Sequence, residues 1–215
     1  MKQLVIIGAG GMGRQFSQDA TRCLGYGTQF VVKGFIDDDL TSLEEFTEED
    51  YPPLLGTVQD YQPAPDDVFT CSIGNVPSRR KVCETILSRG GEFIRLIMKD
   101  VVIPPSVKLG KGVYIGTQVG LGVDVTIGDY SFIQHGAIIG HDAVIGSFCR
   151  LDCRTVIIGG VKIEDDVTVH TAAVVSHGVT VGRGATVGAM SFVIRKVRPG
   201  ATVYGNPAKQ LDYKP

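Results

Sequence analysis

The sequence predicts a small α/β domain followed by a parallel β-helix, and three observations carry that prediction. Stepping by six from Ile103, every residue is aliphatic, through Leu109, Ile115, Leu121 and onward to Val187 and Val193, sixteen in succession. Four places after each comes a small residue, from Val107 and Val113 through Ser131, Ala137 and Cys149 to Ser191 and Val197. Ahead of this run, short apolar segments alternate with stretches of helical length, and the first apolar segment ends in Gly8-Ala9-Gly10-Gly11-Met12-Gly13. A period of six fits neither an α-helix nor the alternation of a flat strand; over so many turns it is the mark of a β-helix.

Residues Gln3 to Ile7 read as a buried strand, and Arg14 to Cys23 as a helix after the glycine turn. That order brings backbone N–H groups and a helix N-terminus to where a phosphate can lie. A second strand, Phe30 to Ile36, ends in Asp37-Asp38-Asp39, acidic side chains able to accept hydrogen bonds from a ribose or a base. The segment Asp38 to Pro53 is acidic and aperiodic, and reads as a solvated loop. A third strand, Val68 to Ile73, leads through Gly74-Asn75 into a helix near Val76-Pro77-Ser78 that carries Arg79 and Arg80, and Glu92 to Ile97 is a fourth strand. Three strand ends thus meet at one edge of a small Rossmann-like parallel sheet, the place where α/β folds bind ligands. Residues 1–98 hold too few β-α units for a complete dinucleotide fold, which favours a nucleotide-linked small molecule over a nicotinamide dinucleotide.

The repeat occupies about 96 residues within a second domain, 99–215. With three six-residue strands to a coil, residues eighteen apart stack; sixteen units make between five and six coils, a prism roughly 25 Å tall at ~4.8 Å per coil. The aliphatic residue points inward and the small residue fits the bend. Glycine follows the aliphatic residue in eight units, where it is expected to supply backbone freedom at the corners.

All four histidines lie in the repeat. His141 and His177 are two coils apart in one column, with Gly159 at the same place between them, whereas His135 and His170 occupy other places. For His135, His170 and His177 an exposed polar residue on the wall is the plain reading. His141 differs because Asp142 follows it directly and because Gly159-Gly160, one coil on, offers backbone N–H groups without side-chain obstruction. A base beside a bare backbone donor is the minimum for acyl transfer: one takes the nucleophile's proton, the other steadies the oxyanion. Cys149 is predicted inward and structural, and nothing in the sequence activates Cys153 as a nucleophile.

The 215 residues carry a net charge of −2, which gives no electrostatic footprint for nucleic acid or an anionic membrane. Five cysteines lack metal-ligand spacing, so no metal is expected and reduced thiols in the cytoplasm are the simple reading. No apolar stretch approaches the length of a membrane span.

The run containing Gly140-His141-Asp142-Ala143-Val144-Ile145-Gly146, closed by Gly205-Asn206-Pro207-Ala208-Lys209, resembles the left-handed β-helix acyltransferases with hexapeptide repeats. Val5 to Gly13, Gly34-Phe35-Ile36-Asp37-Asp38-Asp39 and Ser72-Ile73-Gly74-Asn75 are similar to its nucleotide-sugar branch, which includes bacillosamine-pathway and perosamine N-acetyltransferases and sialic acid O-acetyltransferases. The resemblance implies a left-handed coil, a homotrimer, and direct transfer from acetyl-CoA to an amine on a nucleotide-linked amino-deoxy sugar. It further implies His141 as general base, Asp142 as its partner and Gly159 as the donor to the thioester carbonyl. The nucleotide pocket maps onto Gly8, Gly10, Gly11, Asp37 and Asp38, with Asn75 and Arg79 beside them. Acetyl-CoA is expected along Gly159, Gly160 and His177 and near Asn206, Pro207 and Lys209. One departure stands out: relatives often carry a second histidine nine residues after the base, where this chain has Arg150, an acceptor-side residue in this reading. Sugar O-acetylation and a non-catalytic trimeric scaffold that binds a nucleotide sugar are the alternative readings.

Overall fold

The computed structural model describes residues 1–47 and 49–211, so the end of the expected second domain, 212–215, lies outside the described residues. The chain divides into two compact units, Met1–Lys99 and a second that begins at Asp100.

The first unit is built on a parallel sheet of four strands, β1 (Lys2–Ile7), β2 (Phe30–Ile36), β3 (Asp67–Cys71) and β4 (Glu92–Phe93), in the order β2-β1-β3-β4. Leu4 to Ile7 are completely buried because β1 is central and covered on both faces, which is why it reads as an unbroken apolar run. Helix α1 (Gly11–Ala20) begins three residues earlier than the sequence suggests, so the last glycine of the turn, Gly13, lies inside its first turn. A side chain there would collide with the Gly8 carbonyl, with the oxygen only 2.0 Å from the added carbon. Helix α2 (Val76–Ser88) is capped by Asn75, whose side chain accepts from the Ser78 N–H at 3.0 Å, with a proline in its first turn. The fourth predicted strand is interrupted: Glu92–Phe93 and Leu96–Ile97 are separate pieces.

The loop after β2 has no buried residue among those described, in line with a solvated segment, yet it makes specific contacts. Phe46 and Tyr51 meet edge to face at 5.1 Å, and the guanidinium of Arg14, from the first turn of α1, lies 4.6 Å above the Phe46 ring. The loop returns along β2, where Phe35 N–H donates to Pro53 and Leu55 N–H to Phe35.

Asp67, at the start of β3, is a buried carboxylate that accepts from Lys33 Nζ (2.8 Å), Tyr61 Oη (2.7 Å) and Ala64 N–H (2.8 Å). Burial pushes its carboxyl up, but the bonds from Lys33, Ala64 and Tyr61 outweigh burial and hold it below the usual carboxylate range. Burial likewise pushes Lys33 down, and its bonds to Asp67 and Tyr61 leave it raised overall.

The second unit is a parallel β-helix. Two-residue strands recur every six residues and pair with the strand eighteen residues away, so Ile115, Ile133, Leu151, Val169 and Val187 stack on one wall. Leu121, Ile139, Ile157, Val175 and Val193 stack on the second wall, and Leu109, Ile127, Ile145, Ile163 and Val181 on the third. From Ile127 onward these residues are almost wholly buried, and the small residues between them are buried at the bends.

Three details differ from the sequence reading. Ile103, the first residue of the repeat, lies outside any strand. The recurrent glycine after the aliphatic residue is there for close approach: a Cβ on Gly122, Gly128 or Gly140 would lie 2.5–2.6 Å from backbone atoms of the next coil. The left-handed corner falls two places later and is occupied mostly by other residues, among them Gln118, Asp124, Asp142, Arg154 and Met190, at φ near 57–59°. Finally, the last unit is short. Val197 does not take the small bend position but pairs with Val181, and Val203 pairs with Val187, each two residues ahead of the eighteen-residue register. An antiparallel strand, Lys209–Gln210, then closes on Thr202–Tyr204.

Gly128→Ala is expected to lower stability by about 1–3 kcal/mol through overpacking against the neighbouring backbone. Gly120→Ala, which meets nothing within 4 Å, should be nearly neutral. Urea titrations of the two variants compare them directly. For Asp67→Asn the expected loss at pH 7 is about 1–3 kcal/mol, the cost of a broken buried hydrogen-bond set. The carboxylate's contribution is present above the unfolded pKa and lost as pH falls through its lowered folded value, so the gap between variant and wild type should close in acid. The Lys33 part is present below the unfolded lysine value and lost as pH rises through the raised one.

Candidate active site

His141 stands at the third place of its unit, where the chain turns the corner after Ile139. Asp142 occupies the left-handed corner at φ 57°, a conformation aspartate tolerates better than most residues, and its carboxylate reaches back to His141 Nδ1 at 2.7 Å. With Nδ1 donating to the carboxylate, Nε2 carries the lone pair. Both side chains are about 60 % exposed, so Nε2 is open to a reactant.

Gly159 lies one coil on, directly against the imidazole: a Cβ there would sit 2.6 Å from His141 Nε2 and 2.7 Å from Cε1. At four other corners the N–H at this place is capped by a side chain of the next coil. Lys111 N–H donates to Asp129, Thr117 to His135 Nδ1, Asp129 to Ser147 Oγ and Ser147 to Asp165. Among the described hydrogen bonds the Gly159 N–H has no acceptor. Gly160 is different, and the expectation that both glycines present free donors is corrected: its N–H is spent on the His141 carbonyl at 2.9 Å, a bond that keeps the two coils in register. His177 continues the column, with its Cε1 3.6 Å from where a Gly160 side chain would begin. The hairpin holding Asn206, Pro207 and Lys209 is docked by Ala208 N–H on the Phe192 carbonyl and by Gly205 N–H on Ser191 Oγ.

Arg150 lies on a different wall from His141, in the ladder between Phe132 and Thr168. Its guanidinium is tied to Asp152 through Nε (2.6 Å) and Nη2 (3.2 Å). Asp152 is buried and also accepts from Gln134 Nε2 at 2.8 Å, while His170 Nδ1 lies 3.0 Å from it. Sequence reasoning missed this hub, although Gln134, Asp152 and His170 share one place in successive coils and the eighteen-residue spacing aligns them. His135 is likewise a cap for the Thr117 N–H and not merely an exposed side chain.

In the first unit the three strand ends do converge. Gly8, at φ 98°, donates its N–H to the Ile36 carbonyl; Ala9 N–H reaches Asp37 Oδ2 at 2.7 Å; and Ser72 Oγ donates to the Ile7 and Gly8 carbonyls. A side chain on Gly10 would meet nothing within 4 Å and one on Gly11 only the tip of Arg14, so packing does not demand glycine at either place and the turn lies open there. Asp37 ties the turn together, accepting from Ala9 through one oxygen and from Asp39 N–H through the other, and Asp38 accepts from Val58 N–H. Arg79 is a correction: it is completely buried and donates to the Ile73 carbonyl at 3.4 Å, so it braces the Ser72–Asn75 turn from beneath and does not present its charge to a ligand.

Residues 3–86 match the PglD N-terminal domain family, and residues 95–184 match the GMPPB C-terminal domain family. No curated protein matches the chain. Among solved structures, the chain is 27% identical to the acetyltransferase domain of PglB from Neisseria gonorrhoeae FA1090, covering 98% of this chain and 100% of that one, with a TM-score of 0.86. It is 26% identical to a mutant of perosamine N-acetyltransferase from Caulobacter crescentus in complex with CoA and GDP-perosamine, over 99% and 98% of the two chains, with a TM-score of 0.87. WeeI from Acinetobacter baumannii AYE is 26% identical over 98% and 100%, with a TM-score of 0.86. Over nearly its whole length the chain is similar to hexapeptide-type nucleotide-sugar acetyltransferases.

For an acyltransferase of this branch, the column His141, Gly159 and His177 is the candidate chemical centre, because it joins an oriented imidazole to an unoccupied backbone donor. Gly159→Ala should push the imidazole off its position while leaving the fold intact. The expected signature is a displaced His141 ring resonance by NMR, with a thermal midpoint within a few degrees of wild type; an unmoved ring would mean that the contact is slack.

Proposed function

We propose that the protein transfers the acetyl group of acetyl-CoA directly to the amine of a nucleotide-linked amino-deoxy sugar, and that His141 is its general base. The observation that carries this reading is the His141–Asp142 pair standing over the Gly159 N–H. The amine nitrogen attacks the thioester carbonyl carbon as Nε2 of His141 takes its proton, and the Gly159 N–H donates to the oxyanion of the tetrahedral intermediate. Collapse breaks the carbon–sulfur bond, and the imidazolium returns the proton to the leaving thiolate. Asp142 holds the tautomer and steadies the imidazolium. No covalent enzyme intermediate is needed. The Sγ of Cys153 is directed to Gln134 Oε1 at 3.4 Å.

The nature of the substrates is supported by the perosamine N-acetyltransferase with bound CoA and GDP-perosamine, and by the PglB domain, solved also with acetyl coenzyme A. In this reading the first unit holds the nucleotide, with the phosphates beside Gly10 and Gly11, where no side chain intrudes, and Gly8, Asp37, Asp38 and Asn75 as the frame. A homotrimer belongs to the same proposal. The outer face of one β-helix wall is apolar from coil to coil, with Ile138, Val156, Val174 and Phe192 flanked by Ile158 and Ile194, and Ile138 is 52% exposed. Such a stripe is a surface that association would cover. A cytoplasmic location also fits: all five cysteines are free thiols, and no described helix is long and apolar enough to cross a membrane.

A thiol-release assay with acetyl-CoA against uridine-, thymidine- and guanosine-linked 4-amino-4,6-dideoxy sugars tests the reading. Turnover with at least one sugar is expected, and His141→Ala should lower kcat roughly 100-fold or more, the scale of general-base catalysis. Undiminished turnover in that variant would remove His141 from the mechanism.

A further inference from the structure

Helix α2 lies along β3 in a register that can be read from its contacts. Val76, Arg79, Cys83 and Ile86 are its buried residues, and their three- and four-residue steps put them on one face. At one end of that face Arg79 Nη1 donates to the Ile73 carbonyl at 3.4 Å, just past the end of β3. At the other end Ile86 and Phe69 meet at Gly91, where an added side chain would strike both. The helix therefore runs antiparallel to the strand. From Arg79 to Cys83 it rises about 6 Å, and from Ile73 back to Cys71 extended chain covers about 6.6 Å, so Cys83 stands opposite Cys71. Phe69, Cys71 and Ile73 also alternate onto one face of the sheet.

The two thiols form a pair. Cys83 is completely buried and Cys71 is 3% exposed, and a hydrogen bond joins them. The other three cysteines turn elsewhere: Cys23 to the Met98 sulfur, Cys149 to the Glu164 carbonyl and Cys153 to Gln134. Burial pushes the Cys71 thiol up, but the hydrogen bonds from Cys83 and from the Ile73 N–H, with the charge of Arg79, bring it below its ordinary value. Cys83 is pushed the other way, by its hydrogen bond to Cys71 and by burial. The shared proton thus stays on Cys83, and Cys71 is the nucleophilic sulfur.

We propose that Cys71 and Cys83 are a redox-modification site, which a peroxide closes to a disulfide between β3 and α2. The Cys71 sulfur attacks one oxygen of hydrogen peroxide; the O–O bond breaks, water leaves with the thiol proton, and a sulfenic acid forms. The Cys83 sulfur then attacks that sulfur, the S–O bond breaks and a second water leaves. Two thiols give up two electrons and two protons, and one peroxide becomes two waters. A small thiol such as glutathione reverses the bond by exchange, so in a reducing cytoplasm it is transient. The pair sits beneath the ligand edge of the sheet. Ser72, next in the chain, donates to the Ile7 and Gly8 carbonyls, and Asn75 caps the helix that carries Cys83. A disulfide holds its two Cα atoms about 4.4–6.8 Å apart, so closing it fixes α2 and the Ser72–Asn75 turn in one arrangement. That consequence rests on the nucleotide site proposed above; the disulfide itself does not. Both sulfurs are buried, so peroxide reaches them when the turn opens locally, and a bound nucleotide sugar should slow the reaction.

The test exposes the native protein to hydrogen peroxide, blocks the remaining thiols and maps the peptides by mass without reduction. The expected product is lighter than the native chain by two hydrogens, links the peptides that hold Cys71 and Cys83, and reverts with dithiothreitol. A Cys83→Ser variant should form no such link and should carry a sulfenic acid at Cys71, trapped by dimedone. The wild-type map decides the matter even if that variant does not fold. No link, a bridge between other cysteines, or oxidation confined to the half-exposed Cys153 overturns the site. The effect on the ligand edge is read separately. Oxidation should change the KM for the nucleotide sugar about 5-fold or more, the lower end of ordinary coupling between sites, and reduction should restore it. An unchanged KM in fully linked protein overturns the connection to that edge. If the reduced enzyme turns over no nucleotide sugar, the proposed function fails, and the peptide map still judges the disulfide.

Discussion

The eighteen-residue backbone ladder is the constraint on which the second unit depends. Each two-residue strand is too short to hold its place alone, and only the hydrogen bonds to the coils on either side fix it. That ladder converts distance along the chain into position: residues far apart in sequence become neighbours at a repeat of about 4.8 Å. His141 and Gly159 are in contact for this reason and no other, and the bond from the Gly160 N–H to the His141 carbonyl is itself a rung of the ladder. The same periodicity that builds the core therefore places an imidazole against a backbone donor with no dedicated loop.

Corners are where the ladder leaves room for function. Wall residues pair on both sides and their inward side chains fill the core, so substitution there is costly. The third and fourth places of each unit point outward, and their N–H groups must find a partner or face solvent. The N–H at the fourth place bonds a carbonyl of the coil before, as Gly160 does to His141, and several at the third place use a side chain from the next coil, as at Lys111, Thr117 and Ser147. Glycine at 159 removes the side chain and leaves the N–H without an acceptor among the described hydrogen bonds, while Asp142, in the left-handed corner one coil earlier, orients the imidazole of His141. The Asp152 hub shows the opposite use of a corner: there Gln134, Arg150 and His170 converge on one buried carboxylate and satisfy it internally.

Much of this was legible in the residues because period six has one structural meaning. The coil, the inward column and the pairing of His141 with Gly159 all follow from counting. What counting could not supply was the reason for a residue at a given place. Glycine after the aliphatic residue reads as conformational freedom, yet at Gly128 and Gly140 the decisive fact is a backbone 2.6 Å and 2.5 Å away in the next coil, which exists only after folding. The shortened final unit was hidden because Val197 is as apolar as the residue expected in either register. Arg79 reads as a surface cation on a helix; its burial comes from how α2 packs on the sheet, information that no helical spacing contains. The clamp of Arg14 on Phe46 joins residues 32 apart in sequence with no repeat to connect them.

A solenoid suits a long, flexible co-substrate better than a single concave pocket does. Coenzyme A carries its reactive sulfur and its charge at opposite ends of a thin arm, so a protein that recognises both ends must hold two features at a fixed separation. In a β-helix that separation is a whole number of coils, and changing it means adding or removing eighteen residues, a step that shifts every later residue together. The corner two residues short at Ile194–Lys196 ends the regular column immediately above His177, and it is there that the wall gives way to exposed cations. Irregularity at that point does not disturb the coils below, because each coil contacts only its neighbours. The regular coils therefore fix every separation along the column, and the short corner sets where that column ends.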